Sequence, residues 1–157
     1  MNRYLKLLVI VVVCELVGII STPFTLAAIP EWYSTLNKPA FAPPNWVFAP
    51  AWITLYFLMG VAAFLVLEQG TKKKNVKKAL IYFSAQLFFN FLWSVLFFGL
   101  RSPPLGLVDI LILWIFIFIT MIKFHKIHKP AAYLLIPYLL WVSFAALLNF
   151  AILLLNL

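Results

Sequence analysis

Long uninterrupted apolar runs alternate with short polar punctuation along the whole chain. The runs cover residues 7–29, 44–67, 79–100, 105–122 and 131–155. Each is about as long as the roughly 20 residues that carry a helix across the hydrocarbon core of a bilayer. The runs are continuous rather than alternating, which excludes the dyad pattern of a membrane β-barrel strand. Backbone groups in lipid must pair within their own segment, so the pattern predicts five transmembrane helices in a single all-α domain spanning 1–157. The punctuation at 70–78, 101–104 and 123–130 is too short to hold a domain and reads as three tight connections. Residues 30–43 form the one longer connection. It carries Trp32, Tyr33, Lys38, Pro39, Phe41 and Pro43, and order in such a loop comes only from packing.

Composition supports the same reading. Of the 157 residues 66% are hydrophobic and 10% charged, against about half and a quarter in soluble domains. A surplus of this size exceeds what a core of this length hides, so lipid must cover the remainder. The first run follows Arg3 and Lys6 as a signal peptide would, but its length and Glu15 favour a retained span. The net charge of +8 becomes informative once the cations are placed. Arg3 and Lys6, then Lys72, Lys73, Lys74, Lys77 and Lys78, then Lys123, Lys126 and Lys129 all fall on one side of a five-span topology. Only Lys38 and Arg101 fall on the other. The positive-inside rule puts the N-terminus in the cytoplasm and the 30–43 loop outside. The charge therefore reports topology rather than nucleic-acid binding. Cys14 has no partner for a disulfide within the chain.

Polar and aromatic residues recur at helical spacing inside the spans. Gln86, Asn90 and Trp93 share one face of the third span. Gln86 reads as an interhelical hydrogen-bonding residue, and Asn90 beside Trp93 fits either that role or a cavity wall. Tyr138, Trp141, Ala145 and Asn149 share a face of the fifth span, and Trp52 and Tyr56 one of the second. Such stripes make either a packed aromatic core or the walls of a pocket for a flat apolar ligand, and spacing alone favours the core. Pro50 and Pro137, with Pro23, are positions where kinks are expected to open space between helices. Two acids lie within spans, where a charge at the bilayer centre costs about 2.5–3.5 kcal/mol on insertion scales. Asp109 lies near Arg101 and the start of its helix, so an ion pair is expected there. Glu15 has no partner that the sequence identifies. His125 and His128 read as part of a solvated basic loop, with no third ligand nearby for a metal. No serine–histidine–acid set or facing carboxylate pair is visible.

Five blocks of residues then point to one family. They are Trp32-Tyr33-x-x-Leu36-x-Lys38-Pro39-x-x-x-Pro43-Pro44-x-Trp46; Pro50-x-Trp52-x-x-Leu55-Tyr56-x-x-Met59; Gln86-Leu87-x-x-Asn90-x-x-Trp93 with Phe97-Phe98-Gly99; Leu107-Val108-Asp109; and Pro137-Tyr138-Leu139-x-Trp141-x-x-Phe144-Ala145-x-x-Leu148-Asn149. In order and spacing these resemble the TspO/MBR family, the translocator proteins also called tryptophan-rich sensory proteins and peripheral-type benzodiazepine receptors. The resemblance implies a homodimer of five-helix bundles in which a pocket among the first, second and fifth spans is lidded by the first loop. It implies porphyrin ligands such as protoporphyrin IX or haem, or other flat hydrophobic molecules, with no cofactor or metal required. Carried over, the pocket comprises Trp46, Trp52, Tyr138, Trp141, Phe144, Ala145 and Leu148, with Asn90 and Trp93 nearby, and the lid holds Trp32, Tyr33, Lys38, Pro39, Phe41, Pro43 and Pro44. The function implied is that of a sensor or carrier. The alternative is light- and oxygen-dependent porphyrin degradation, in which Trp52 and Trp141 are the residues at stake. Phe41 stands where the family often has Trp. Phe150, with no basic residue after Asn149, departs from the cholesterol motif of animal members.

Overall fold

The computed structural model describes residues 2–157. Helix α1 is Arg3–Glu31, α2 is Phe48–Leu67 after a 3-10 turn at Asn45–Val47, and α3 is Lys74–Ser94, prolonged by a π turn at Val95–Gly99. Helix α4 is Pro103–Ile127, the short α5 is Lys129–Tyr133, and α6 is Ile136–Leu155. Five of these segments are long and apolar enough to span a membrane, with α5 and α6 together forming the fifth, and no strand occurs among the described residues. The protein is an all-helical, multi-pass membrane protein.

The helices begin where the sequence supplies caps. The Asn2 side chain accepts from the Tyr4 amide, and the Ser102 hydroxyl accepts from Leu105 at the start of α4, where Pro103 and Pro104 leave no amide to satisfy. Two expectations about boundaries change. Helix α1 runs through Pro23 and Pro30 to Glu31, because a helix in lipid keeps its remaining internal bonds rather than exposing backbone. The expected loop at 123–130 is almost entirely helical, and His128 alone separates α4 from α5. Lys123, His125 and Lys126 lie in the last turns of α4, where cations suit the helix dipole; the His125 ring meets Tyr133 edge-on at 6.0 Å. Pro137 lies in the first turn of α6, just after the break at Leu134–Leu135, so it sets the start of a helix instead of bending one.

The path of α1 makes the architecture asymmetric. In its first half α1 lies against α2 at glycine: a Cβ on Gly60 would stand 2.6 Å from the Val11 Cα, and one on Gly18 would stand 2.6 Å from the Tyr56 ring. In its second half α1 leaves α2 for the far end of α3. Phe24 packs edge-on to Phe91 and against Gly99, and Trp32 packs on Phe97. A wedge opens between α1 and α2 in the half of the bundle nearest the 30–43 loop. On the other flank α3 and α4 run together along an aromatic seam of Tyr82 on Phe116, Phe89 on Phe116 and Phe83 on Phe124. Large apolar side chains such as Leu8, Val12, Leu16, Ile115 and Phe118 face outward, as lipid requires.

The two ends carry different charge contacts. Glu68 takes both Arg3 (3.4 Å) and Lys6 (3.5 Å), tying the N-terminus to the α2–α3 turn. At the other end Arg101, at φ 53°, pairs with Glu31 at 2.6 Å. The expected Arg101–Asp109 pair therefore does not form. Asp109 faces inward with Gly106, Ile110 and Leu113, is only 3% exposed, and neither of its oxygens has a partner.

Candidate functional site

The wedge encloses a cavity of about 360 Å³. Helix α1 supplies one wall through Glu15, Gly18, Ser21, Thr22 and Thr25. These recur at i, i+3, i+6, i+7 and i+10, a stripe of small or polar residues on a helix that is otherwise aliphatic. Helix α2 supplies Phe48, Ala49, Trp52 and Tyr56, α3 supplies Asn90, Trp93 and Ser94, and α6 closes the back with Trp141 and Ala145. The exposed Ile19, Leu26 and Ile53 edge the cavity, so its rim is apolar and lies on the surface that lipid covers.

Aromatic packing holds the walls. The Trp52 ring lies 5.7 Å from Tyr56, 6.3 Å from Tyr138 and 6.5 Å from Trp141, the last nearly perpendicular. Trp141 meets Phe48 at 6.1 Å and Phe144 at 5.7 Å. Trp93 stacks on Phe97 at 5.1 Å and donates from Nε1 to the Asn149 side-chain oxygen at 3.2 Å; Asn149 Nδ2 in turn donates to the Pro103 carbonyl. One donor stands apart: Trp141 Nε1 is buried and has no partner. Trp141 also borders a second, shallower apolar groove on the bundle surface, between Pro50 and Pro137.

Beneath the indoles runs a chain of buried hydrogen bonds. Tyr56 Oη donates to Asn90 Oδ1 at 2.5 Å, Asn90 Nδ2 donates to Tyr138 Oη at 2.8 Å, and Tyr138 Oη donates to Gln86 Oε1 at 2.7 Å. Gln86 Nε2 ends the chain at the Met59 sulfur, 3.8 Å away. The chain joins α2, α3 and α6, and all five residues are buried. Gln86 thus has the interhelical role its position suggested. Asn90 has both of the roles open to it, since it bonds across helices and also borders the cavity.

The loop above is ordered by packing and by a clamp. Tyr33 is 3% exposed against Phe97 and Phe98, and its burial pushes the phenol pKa above the ordinary value, so it stays neutral. Lys38 donates to the carbonyls of Tyr33 (2.9 Å) and Leu36 (3.1 Å), with its ammonium 4.9 Å from the Tyr33 ring centre. The Asn37 amide donates to the Asn156 side-chain oxygen at 2.9 Å, and Asn156 Nδ2 donates back to the Asn37 carbonyl at 2.9 Å, fastening the loop to the end of α6.

Of the residues singled out in the sequence, Trp52, Asn90, Trp93, Trp141 and Ala145 come together around the cavity. Tyr138 lies one layer behind, because its hydroxyl is engaged by Asn90 and Gln86. Leu148 is buried in the cluster under Tyr33 and Phe97. Phe144 stands between Trp141 and the lid residue Phe41, whose ring is 6.2 Å away. Trp46 is 73% exposed in the 3-10 turn before α2 and does not border the cavity, although its neighbour Asn45 does. Within the lid only Tyr33 borders the cavity; Trp32 packs on Phe97, and Pro39, Pro43 and Pro44 shape the strap between. The resemblance implied a wall from the first span and Glu15 was singled out there, but sequence reasoning did not name Gly18, Ser21, Thr22 and Thr25, whose spacing was legible, and it missed the Asn37–Asn156 clamp, whose residues lie 119 positions apart.

These features define a five-span helical membrane protein with a cavity walled by tryptophan and roofed by the first loop. The TspO/MBR family profile matches residues 10–155, and the chain belongs to this family. It is 46% identical to the tryptophan-rich protein TspO of Chlorobaculum tepidum, over 99% of both chains. It is 45% identical to the protein of the same name from Archaeoglobus fulgidus, over 97% of both chains. It is 37% identical to the translocator protein of Bos taurus, covering 85% of this chain and 79% of that one.

Proposed function

We propose that this protein binds a porphyrin or a related flat tetrapyrrole, such as protoporphyrin IX or haem, in the α1–α2 wedge and acts as a membrane sensor or carrier for it. The observation that carries the reading is the cavity itself: about 360 Å³, bordered by Trp52, Trp93 and Trp141. That volume falls within the roughly 300–1,000 Å³ of small-molecule sites. Flat indole faces offer large apolar contact with little side-chain entropy to lose, which suits a planar macrocycle. The apolar rim at Ile19 and Ile53 lets a hydrophobic ligand enter from the bilayer without crossing water. The rigid tyrosine–amide chain under Trp52 fixes the floor, and the clamped loop closes the top. The names of relatives, a tryptophan-rich sensory protein in Cereibacter sphaeroides and the translocator proteins, agree with sensing or carriage. A cytoplasmic N-terminus, supported by the lysine asymmetry, and a homodimer, implied by the family resemblance, complete the reading.

The test is an anaerobic titration in the dark with protoporphyrin IX, read by tryptophan quenching in detergent. Saturation at a defined stoichiometry, weakened by Trp52→Ala and Trp141→Ala, is expected. Linear partitioning without saturation overturns the reading. Repeating the titration under light and oxygen addresses degradation: product formation lost in both Trp52→Phe and Trp141→Phe makes the protein an enzyme rather than a carrier. A cysteine at Ser34 is expected to react with an impermeant thiol reagent in intact cells and one at Asn75 is not; the reverse inverts the topology.

A further inference from the structure

Among the described residues, Glu15 is the one formally charged side chain that borders the cavity, and no Lys, Arg or His does. Of the other acids, Glu31 pairs with Arg101, Glu68 pairs with Arg3 and Lys6, and Asp109, buried in α4 without a partner, does not border the cavity. Glu15 stands near the middle of α1, at a depth where an ionisable group needs a partner, and among the described residues none bonds to it. The nearby hydroxyl protons are already committed. Tyr56 donates to Asn90, Ser21 to the Val17 carbonyl and Thr22 to the Gly18 carbonyl. Glu15 is therefore an acceptor without a donor, at the inner end of a space that opens toward the loop. The opposite wall is aromatic, with Trp52, Trp93 and Trp141, and offers Glu15 no charged partner.

Resting on the reading of the cavity as a tetrapyrrole site, we propose that Glu15 sets ligand charge selectivity and orientation. It takes a cationic or N–H-donating edge of a flat ligand at the inner end of the cavity. A carboxylate-bearing edge is turned the other way, toward the mouth. The ligand class favoured at the inner end is thus a planar apolar ring system carrying an amine or a protonated nitrogen heterocycle.

The test compares two porphyrins of one ring system in non-ionic detergent: protoporphyrin IX, with two carboxylates, and its diamide ending in two primary amines. Tryptophan quenching is read for the wild-type protein, Glu15→Gln and Glu15→Asp. Glu15→Gln keeps the side chain's shape, and its thermal unfolding is measured alongside. Loss of a charge-assisted hydrogen bond is expected to weaken the diamine in Glu15→Gln by about ten- to a hundredfold. Protoporphyrin IX is expected to bind Glu15→Gln as tightly as the wild type or more tightly, and Glu15→Asp to keep the wild-type order of the two ligands. Equal affinities of wild type and Glu15→Gln for the diamine overturn the assignment. So does equal weakening of both porphyrins, which marks a structural role. If neither porphyrin saturates the wild-type protein, the reading of the cavity itself fails, and the assignment with it.

Discussion

The two halves of the α1–α2 pair are built on opposite principles. Near the N-terminus the helices meet at Gly60 and Val11, close enough that an added methyl would overlap backbone. Toward the first loop the same two helices stand apart, with Trp52, Thr22 and Ala49 bordering empty space. The closed half is held by packing, because apolar helices in lipid associate through close contact at small residues rather than through the hydrophobic effect. The open half is held by what surrounds it: the Tyr56–Asn90–Tyr138–Gln86 chain below and the Asn37–Asn156 clamp above. Stability and hollowness are thus assigned to different ends of one interface.

Substitutions test that division, beginning with the largest effect. Gly60→Val drives a branched side chain toward the Val11 backbone, and overpacking of this kind costs about 1–3 kcal/mol. A fall in thermal unfolding temperature in detergent is expected at the upper end of that range. In the open half, Ala145→Thr adds bulk to the cavity wall beside Trp141, with a hydroxyl free to bond back to the carbonyl one turn earlier. Porphyrin affinity is expected to fall roughly ten- to a hundredfold, the worth of a few pocket contacts, while unfolding barely changes. Equal thermal destabilisation by Ala145→Thr and Gly60→Val would erase the distinction between the halves.

Asn90→Leu sharpens the comparison at the boundary. It strips the Tyr56 and Tyr138 hydroxyls of their shared partner, and bonds of this kind between membrane helices average about 0.6 kcal/mol with a maximum near 1.7. A loss of about 1–2 kcal/mol in reversible unfolding is expected, with weaker ligand binding as the floor loosens. A double-mutant cycle with Tyr56→Phe checks that the energy is shared. The smallest effect belongs to Asn156→Ala, which unfastens the loop at the cost of about 1 kcal/mol. Its signature is a faster ligand off-rate in stopped-flow quenching, with the bundle's unfolding unchanged.

Much of the molecule is legible in the order of its residues. Apolar run length marks the five spans, and Gln86 and Asn90 declare themselves as polar groups on an inward face. Boundaries are less legible where polarity and helicity part company. Lys123 and His125 are polar yet helical, because the carbonyls at the end of α4 favour cations and nothing before His128 breaks the helix. Charge pairing is misjudged from proximity in sequence. Arg101 and Asp109 are neighbours along the chain, but the left-handed turn at Arg101 delivers its side chain to Glu31 while α4 rotates Asp109 inward.

The sequence by itself determined that this chain lives in a membrane as five helices, because lipid leaves the backbone no other way to satisfy its polar groups. It also determined the family, through residue types held at fixed spacing. Only the tertiary structure decided where the bundle is hollow. Spacing on one helix shows which residues share a face, but whether that face meets a neighbour or a void depends on the relative tilt of two helices. Here the tilt is set by Gly18, Gly60 and Gly99, contacts distributed over three separate spans. For that reason Trp52 and Trp141 border the cavity, Tyr138 lies behind it and Trp46 lies outside, although all four looked alike in the sequence.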